Sequence, residues 1–151
     1  MEIVEFQPDH AAAFKALNEA WIGKYFAIEA KDREVLDDPQ GRILAGGGRI
    51  YMALAQGEPV GCVALLKMAD GGYEVAKMTV AEGVRGCGLG RGLLQRCIEA
   101  GAQDGAARLY LETNSSLAPA LALYRAMGFV DLPPAETPYA RADVFMERRL
   151  P

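Results

Sequence analysis

Hydrophobic residues follow two different spacings along this chain. Near the N-terminus they recur every three to four positions, at Phe14, Leu17, Trp21 and Tyr25. That spacing is typical of an amphipathic helix. Between residues 49 and 80 the apolar runs are short and are separated by glycine-containing turns, which indicates a meander of strands. The pattern predicts a mixed α/β protein.

Predicted strands and helices then alternate along the chain. Helices are predicted over residues 9–26, 31–38, 91–100 and 117–127, with Asp9 as the N-cap of the first. Strands are predicted over residues 3–6, 49–55, 60–68, 73–80, 108–113 and 143–148, and another begins at 129–131. Short turns make the strands between 49 and 80 antiparallel, because a parallel crossover needs a longer connection. A helix joins strands 73–80 and 108–113, so those two are expected to be parallel.

Composition and charge limit the classes of protein that fit. The chain has 151 residues, of which 51% are hydrophobic and 24% are charged, and this predicts a single domain over residues 1–151. The net charge of −4 argues against nucleic-acid binding, for which a basic surface is usual. No apolar run approaches the roughly 18 residues that span a bilayer. Residues 1–6 do not form a signal peptide, so we expect a cytoplasmic protein without membrane contact.

Histidine and cysteine are too scarce for a metal site. His10 is the single histidine, and Cys62, Cys87 and Cys97 show no CxxC spacing. A zinc site, which needs clustered ligands, is therefore not expected. The odd number of cysteines favours a reducing compartment.

A glycine-rich segment, Arg85–Gly90, lies between a predicted strand and a predicted helix. Glycines there allow a tight turn, and their amides together with the helix N-terminus can bind a phosphate or pyrophosphate. A plain tight turn is the alternative. The segment is not a Walker A motif, since no Lys followed by Ser or Thr closes it. It is not GxGxxG either, since Arg91 or Leu93 stands where the third glycine should be.

The spacing Arg-x-x-Gly-x-Gly at 85–90 resembles the GNAT superfamily of acetyl-coenzyme A-dependent N-acetyltransferases. Three further segments carry the resemblance: Glu74–Val80, Leu111–Asn114, and Leu123-Tyr124 followed by Gly128-Phe129. The resemblance implies a mixed, mostly antiparallel sheet flanked by helices, with a parallel β-α-β unit for the cofactor. It also implies acetyl-coenzyme A (acetyl-CoA) as co-substrate, no metal, and direct transfer to a primary amine of a small molecule or peptide in a ternary complex.

The resemblance also implies which residues hold the cofactor. The loop residues are expected to hold its pyrophosphate: Arg85, Gly86, Cys87, Gly88, Leu89, Gly90 and Arg91. The backbone of Met78 and Val80 is expected to pair with the acetyl and pantetheine groups, and the Met78 N–H to polarise the thioester carbonyl. Asn114 is expected to orient the cofactor or a water, although Asn-Ser-Ser is also a good helix start. Cys87 is either a reactive thiol or an incidental small residue.

The same resemblance assigns two catalytic roles. Tyr124 matches the general acid that protonates the leaving thiolate, whereas its helical spacing alone favours a core aromatic. Glu74 matches a general base and is expected on the same strand face as Val80. Its alternative is a charge at a strand end. Glu29 offers a second carboxylate near the acceptor, or else a solvated charge at a helix end.

The acceptor site has fewer sequence signals. Glu29, Tyr139 and Arg141 are candidate substrate-binding residues, and the Pro-rich segment 133–138 is long enough to overhang an acceptor or merely to connect. An acidic first half of the chain favours a cationic amine such as a polyamine, an aminoglycoside or a lysine side chain. A non-catalytic acyl-CoA-binding sensor domain and an unrelated phosphate-binding module remain alternatives. Dimerisation is common in such folds, and the sequence leaves a homodimer open.

Overall fold

The computed structural model describes all 151 residues, and its backbone forms seven strands and four α-helices. The strands are β1 (Glu2–Glu5), β2 (Arg49–Ala55), β3 (Glu58–Lys67), β4 (Tyr73–Val80), β5 (Arg108–Thr113), β6 (Val130–Leu132) and β7 (Val144–Arg149). The α-helices are α1 (Ala11–Tyr25), α2 (Ala30–Asp37), α3 (Leu89–Gln103) and α4 (Ala118–Ala126). Short 3-10 helices cover Pro8–His10 and Glu82–Val84, and a π-helix covers Gln40–Leu44.

All seven strands form one sheet, in the order β1-β2-β3-β4-β5-β7-β6. Every neighbouring pair is antiparallel except β4 and β5, which are parallel and are joined through α3. The expected mixed, mostly antiparallel sheet with one parallel β-α-β unit is confirmed. The parallel pairing is short, since only Tyr73 with Leu109 and Glu74 with Tyr110 are in register. Beyond those pairs the two strands diverge.

Both faces of the sheet are covered by helices. On the α3 face, Leu93, Leu94 and Cys97 pack with strand residues in a core that also takes in Leu121 of α4. On the α1 face, helices α1 and α2 pack against the sheet around a second core that includes Phe14. Alternate residues of the central strands supply the two cores, as a two-sided sheet requires.

The starts of two helices differ from the prediction for reasons that the local backbone shows. Asp9 does not cap α1: it lies inside the 3-10 helix Pro8–His10, whose N-cap is Gln7. Helix α3 begins at Leu89 rather than at residue 91, because Gly88 adopts a left-handed conformation (φ 75°) and serves as the N-cap. The helix therefore starts inside the glycine-rich segment.

Strand β4 contains a bulge that changes which face its side chains occupy. Between the pairs Cys62–Thr79 and Ala64–Ala76, one residue of β3 is opposite two residues of β4. Val75 and Met78 consequently pack on the same α3-face core, although they are three residues apart. The expectation that Glu74 shares a face with Val80 is therefore wrong: Glu74 alternates with Val75 onto the α1 face, whereas Val80 packs on the α3 face.

Candidate active site

The divergence of β4 and β5 opens a cleft of about 340 Å³, called here the β4–β5 cleft. Its walls come from α1, β4, β5, α4 and the segment 139–142. Eight residues singled out in the sequence line it: Glu74, Met78, Val80, Arg85, Asn114, Tyr124, Tyr139 and Arg141. The fold thus brings candidate acid, base and acceptor groups, separated along the chain, into one cavity.

The glycine-rich segment leads into α3 beside this cleft. Gly86 and Gly88 have φ angles of 84° and 75°, which a residue with a Cβ rarely adopts. A Cβ built at either position would meet no atom within 4 Å, so the space beside this turn is open. The first amides of α3 have no intrahelical acceptor. Open space and free amides at a helix N-terminus fit an anionic group such as a pyrophosphate.

The remaining loop residues differ in how they can contribute. The Leu89 side chain is buried in the α3-face core, which leaves its backbone amide for binding, and Cys87 is exposed. Arg85 donates hydrogen bonds to the Tyr25 hydroxyl (3.0 Å) and the Val80 carbonyl. Arg91 donates to the sulfur of Met127 (3.2 Å). Direct contact of either arginine with a phosphate stays a prediction.

Tyr124 lies on α4 with its ring centroid 6.0 Å from that of Phe129. The side chain is half-buried and lines the cleft. Burial raises the pKa of its hydroxyl to about 12, so the group carries its proton at neutral pH. Tyr124 therefore has a proton that it can donate to a group bound in the cleft.

Glu74 faces the cleft near a second carboxylate, that of Glu112 on β5. Burial first, and the negative charge of Glu112 second, raise the pKa of Glu74 to about 7. A carboxyl with that pKa is suited to accept a proton near neutrality. Glu112 accepts hydrogen bonds from the hydroxyls of Tyr110 (2.9 Å) and Thr137.

Glu112 had no predicted role, although it lies in Leu111–Asn114, one of the segments that carry the resemblance. Its position in the strand pattern is the signal that identifies it. Tyr110 is the register partner of Glu74, and Glu112 follows two residues later on the same face of β5. Because β4 and β5 diverge beyond this point, the carboxylates of Glu74 and Glu112 line the cleft.

A buried ionic network forms one side of the cleft. The fully buried Asp32 accepts hydrogen bonds from both terminal guanidinium nitrogens of Arg141 (2.8 and 2.7 Å) and from Lys77 Nζ (2.5 Å). Burial alone would raise the pKa of Asp32, but these donors hold it well below its usual range. The same two cations also contact the ring of Tyr139, with Lys77 Nζ and the guanidinium carbon of Arg141 each 4.7 Å from its centroid.

Glu29 and Asn114 hold the segment after Pro138 in place. Glu29 does not line the cleft, and its carboxylate accepts hydrogen bonds from Ala140 N (3.0 Å) and Arg141 Nη1 (3.2 Å). The Asn114 amide donates to the Arg141 carbonyl (2.7 Å) and accepts from Ser116 N (2.8 Å). Direct contact of Glu29 with an acceptor stays a prediction. A cofactor contact by Asn114 stays a prediction.

Two further features bear on the class of site. No group of three or more His, Cys, Asp or Glu side chains is arranged to hold a metal ion. None of the helices combines the length and apolar character needed to cross a membrane.

Comparisons with known proteins agree with this geometry. The model of the acetyltransferase (GNAT) family matches residues 11–129. An "IAA acetyltransferase" of Azospirillum brasilense is 39% identical over 105 residues, which are 68% of each chain. A GNAT-family acetyltransferase from Staphylococcus aureus Mu50 superposes with a TM-score of 0.89 at 21% identity, over 99% of both chains. A Salmonella typhimurium protein assigned as an acetyltransferase, determined with its cofactor acetyl-CoA, gives 0.81 at 21% identity, over 100% of this chain and 94% of its own.

Proposed function

The chain belongs to the GNAT family of acetyltransferases, and we propose that it transfers an acetyl group from acetyl-CoA to a primary amine. The observation that carries the proposal is one cleft with an open glycine-rich turn at a helix N-terminus beside it. The cleft contains a carboxyl with a pKa of about 7 and a protonated tyrosine hydroxyl. These are the groups that proton transfer at an amine and at a leaving thiol requires.

Acetyl-CoA fits the loop and the strand edge beside it. The amides of residues 86–91 would hold its pyrophosphate at the start of α3, where the helix dipole favours negative charge. Open space at Gly86 and Gly88 supports this assignment. Met78 and Val80 line the cleft where β4 has lost its pairing with β5, so their backbone groups can serve the acetyl and pantetheine portions.

The proposed reaction is a direct transfer in a ternary complex. Acetyl-CoA supplies the thioester, and the acceptor amine attacks its carbonyl with release of the coenzyme A thiol. Glu74 takes the proton from the amine, Met78 N–H donates a hydrogen bond to the carbonyl oxygen as negative charge develops there, and Tyr124 gives its proton to the thiolate. Afterwards Glu74 releases its proton to solvent and the hydroxyl of Tyr124 recovers one from solvent.

Charge in the cleft favours a cationic acceptor. Three cations line it. Lys77 and Arg141 are already paired with Asp32, and Arg141 also with Glu29, whereas Arg85 lies beside the glycine-rich segment. Glu74 and Glu112 take part in no ion pair and make the part of the cleft between β4 and β5 acidic. We therefore place polyamines, aminoglycosides and lysine side chains first among the acceptors.

Ligand-dependent stability and thiol release test the proposal together. Coenzyme A and acetyl-CoA, each at a hundredfold excess over its dissociation constant, should stabilise the protein by about 2.7 kcal/mol. Thiol release from acetyl-CoA should then depend on an added primary amine. Stabilisation without amine-dependent release would instead support an acyl-CoA sensor, and the absence of both would refute the proposal.

A further inference from the structure

The bulge in β4 contains a residue in an unfavourable backbone conformation. Lys77 has a φ of 55° in the middle of a strand. Left-handed conformations are disfavoured for every residue with a Cβ, and one persists only where its surroundings compensate. Lys77 has neither the missing side chain of glycine nor the short polar side chain of asparagine, so contacts elsewhere must hold it.

Those contacts are unusually strong for a lysine. Its side chain is only 5% exposed, and Nζ lies 2.5 Å from Oδ1 of the fully buried Asp32. Nζ also lies 3.3 Å from the Tyr139 hydroxyl and 4.7 Å from the centre of that ring. Asp32 is fixed in turn by Arg141 and by the Glu29 amide (2.9 Å), so it cannot move to follow the lysine. The Lys77 side chain is therefore anchored to α2.

Met78, the next residue, is the one whose amide the proposed reaction uses. Met78 has no register partner on β3, because it lies in the bulge, and none on β5, because the strands have diverged. Its side chain packs on the α3-face core while that of Lys77 is held on the opposite side of the sheet. The orientation of the peptide group between them is thus fixed by two anchors on opposite faces.

We propose that Lys77 and Asp32 are positioning residues whose buried ion pair holds the β4 bulge and so directs the Met78 N–H towards the acetyl carbonyl. The proposal rests on the proposed function only in taking the acetyl group of acetyl-CoA as the ligand of the Met78 N–H. A purely stabilising ion pair would affect only folding. In this proposal catalysis requires the left-handed conformation at residue 77, and the ammonium group of Lys77 contributes by enforcing that conformation.

Two substitutions at position 77 separate these roles. Lys77→Gly and Lys77→Val both remove the ammonium group, but glycine adopts a positive φ readily and valine does not. Asp32→Asn keeps the lysine and removes its ionic partner, which provides a second test should Lys77→Val fail to fold. Asp37→Asn is the matched control. Asp37 lies on α2, as Asp32 does, but its ion pair with Lys15 of α1 is exposed.

The measurements are backbone NMR shifts and steady-state kinetics. The backbone chemical shifts of residue 77 should stay typical of a left-handed conformation in Lys77→Gly. In Lys77→Val and Asp32→Asn they should move towards values typical of an extended strand. The Met78 amide proton should move downfield with acetyl-CoA but not with coenzyme A in the wild type and in Lys77→Gly. In Lys77→Val and Asp32→Asn, kcat should fall at least tenfold below that of Lys77→Gly, with the acceptor KM changed less, since a displaced oxyanion donor costs mainly kcat.

Several outcomes would overturn the inference. One is an Asp32→Asn protein in which residue 77 stays left-handed and the chemical shifts of Met78 equal those of the wild type. Another is a Lys77→Gly protein that is as impaired as Lys77→Val. If acetyl-CoA does not bind the wild type, the proposed function fails by itself. The φ of residue 77 in ligand-free Asp32→Asn then still decides whether the ion pair holds the bulge.

Discussion

The pair of carboxylates in the cleft predicts a specific pH dependence. Because the pKa of Glu74 is about 7, its deprotonated fraction rises about tenfold between pH 6 and pH 8, and kcat/KM should rise with it. A carboxyl with an ordinary pKa would be ionised throughout that range and would give a flat profile. The acidic limb of the profile therefore reports the environment of Glu74.

Glu112→Gln tests the cause of that limb. Tyr110 and Thr137 donate to different oxygens of Glu112, so glutamine keeps an acceptor for one hydroxyl and offers its amide N–H to the other. The substitution removes the negative charge that helps raise the pKa of Glu74. If the pKa falls by about one unit, as for carboxylates that share a site, kcat/KM at pH 6 rises about fivefold relative to its plateau. Burial still holds the pKa above its ordinary value, so the limb shifts without vanishing.

The assay is thiol release with a weakly basic acceptor, such as an alkoxyamine, that stays neutral over the whole pH range. This choice removes ionisation of the acceptor from the profile. Glu74→Gln serves as the control, since it should abolish the limb together with most of the rate. An acidic limb at the same pH in Glu112→Gln and the wild type would refute the coupling between Glu112 and Glu74. An acidic limb that persists in Glu74→Gln would show that another group is the base.

Three further predictions concern single residues. Tyr124→Phe should lower kcat about a hundredfold or more, and a thioester with a less basic thiol should restore it; full turnover with acetyl-CoA would remove the tyrosine from its role. Gly88→Ala should weaken acetyl-CoA binding at least tenfold in calorimetry, whereas Gly105→Ala, which has the same φ (75°) but follows the opposite end of α3, should not; equal effects would contradict the loop assignment. Folding raises the pKa of Glu74 from 4.5 to about 7, so the native state binds the proton more tightly and stability falls as pH rises between those values. Glu74→Gln should accordingly be more stable by up to about 3 kcal/mol above pH 7 and unchanged at pH 4 in urea unfolding, and an equal gain at both pH values would contradict the raised pKa.

The sequence was informative wherever the signal is local. Strands β2, β4 and β5 have the predicted bounds, because short apolar runs between glycine-rich turns specify extended segments over a few residues. The glycine spacing likewise indicated a tight turn, and Gly86 and Gly88 have the positive φ angles that such a turn needs. The first helix start was wrong because a Pro-initiated 3-10 turn precedes α1, and Asp9 is a helix-start residue in either arrangement.

Tyr139 and Arg141 were predicted to belong to the site and do line the cleft, but the ionic network around Asp32 could not be predicted in this way. Asp32 and Arg141 are 109 residues apart in the chain and Asp32 and Lys77 are 45 apart, and nothing local distinguishes them from solvated surface charges. The bulge at Lys77 reverses the alternation of β4, which is why the predicted common face of Glu74 and Val80 was wrong. Such features arise from packing between elements, and sequence periodicity carries no information about them.

The most direct test of acetyl transfer in this cleft is to follow the acetyl group itself. The wild-type protein is incubated with acetyl-CoA labelled with carbon-13 in the acetyl group and with a polyamine. A matched reaction contains the same polyamine with every nitrogen fully methylated. We predict labelled acetamide product from the primary amine in a one-to-one ratio with released thiol, and none from the methylated compound. Product-free thiol release, or no release with any amine in the presence of bound acetyl-CoA, would contradict the account.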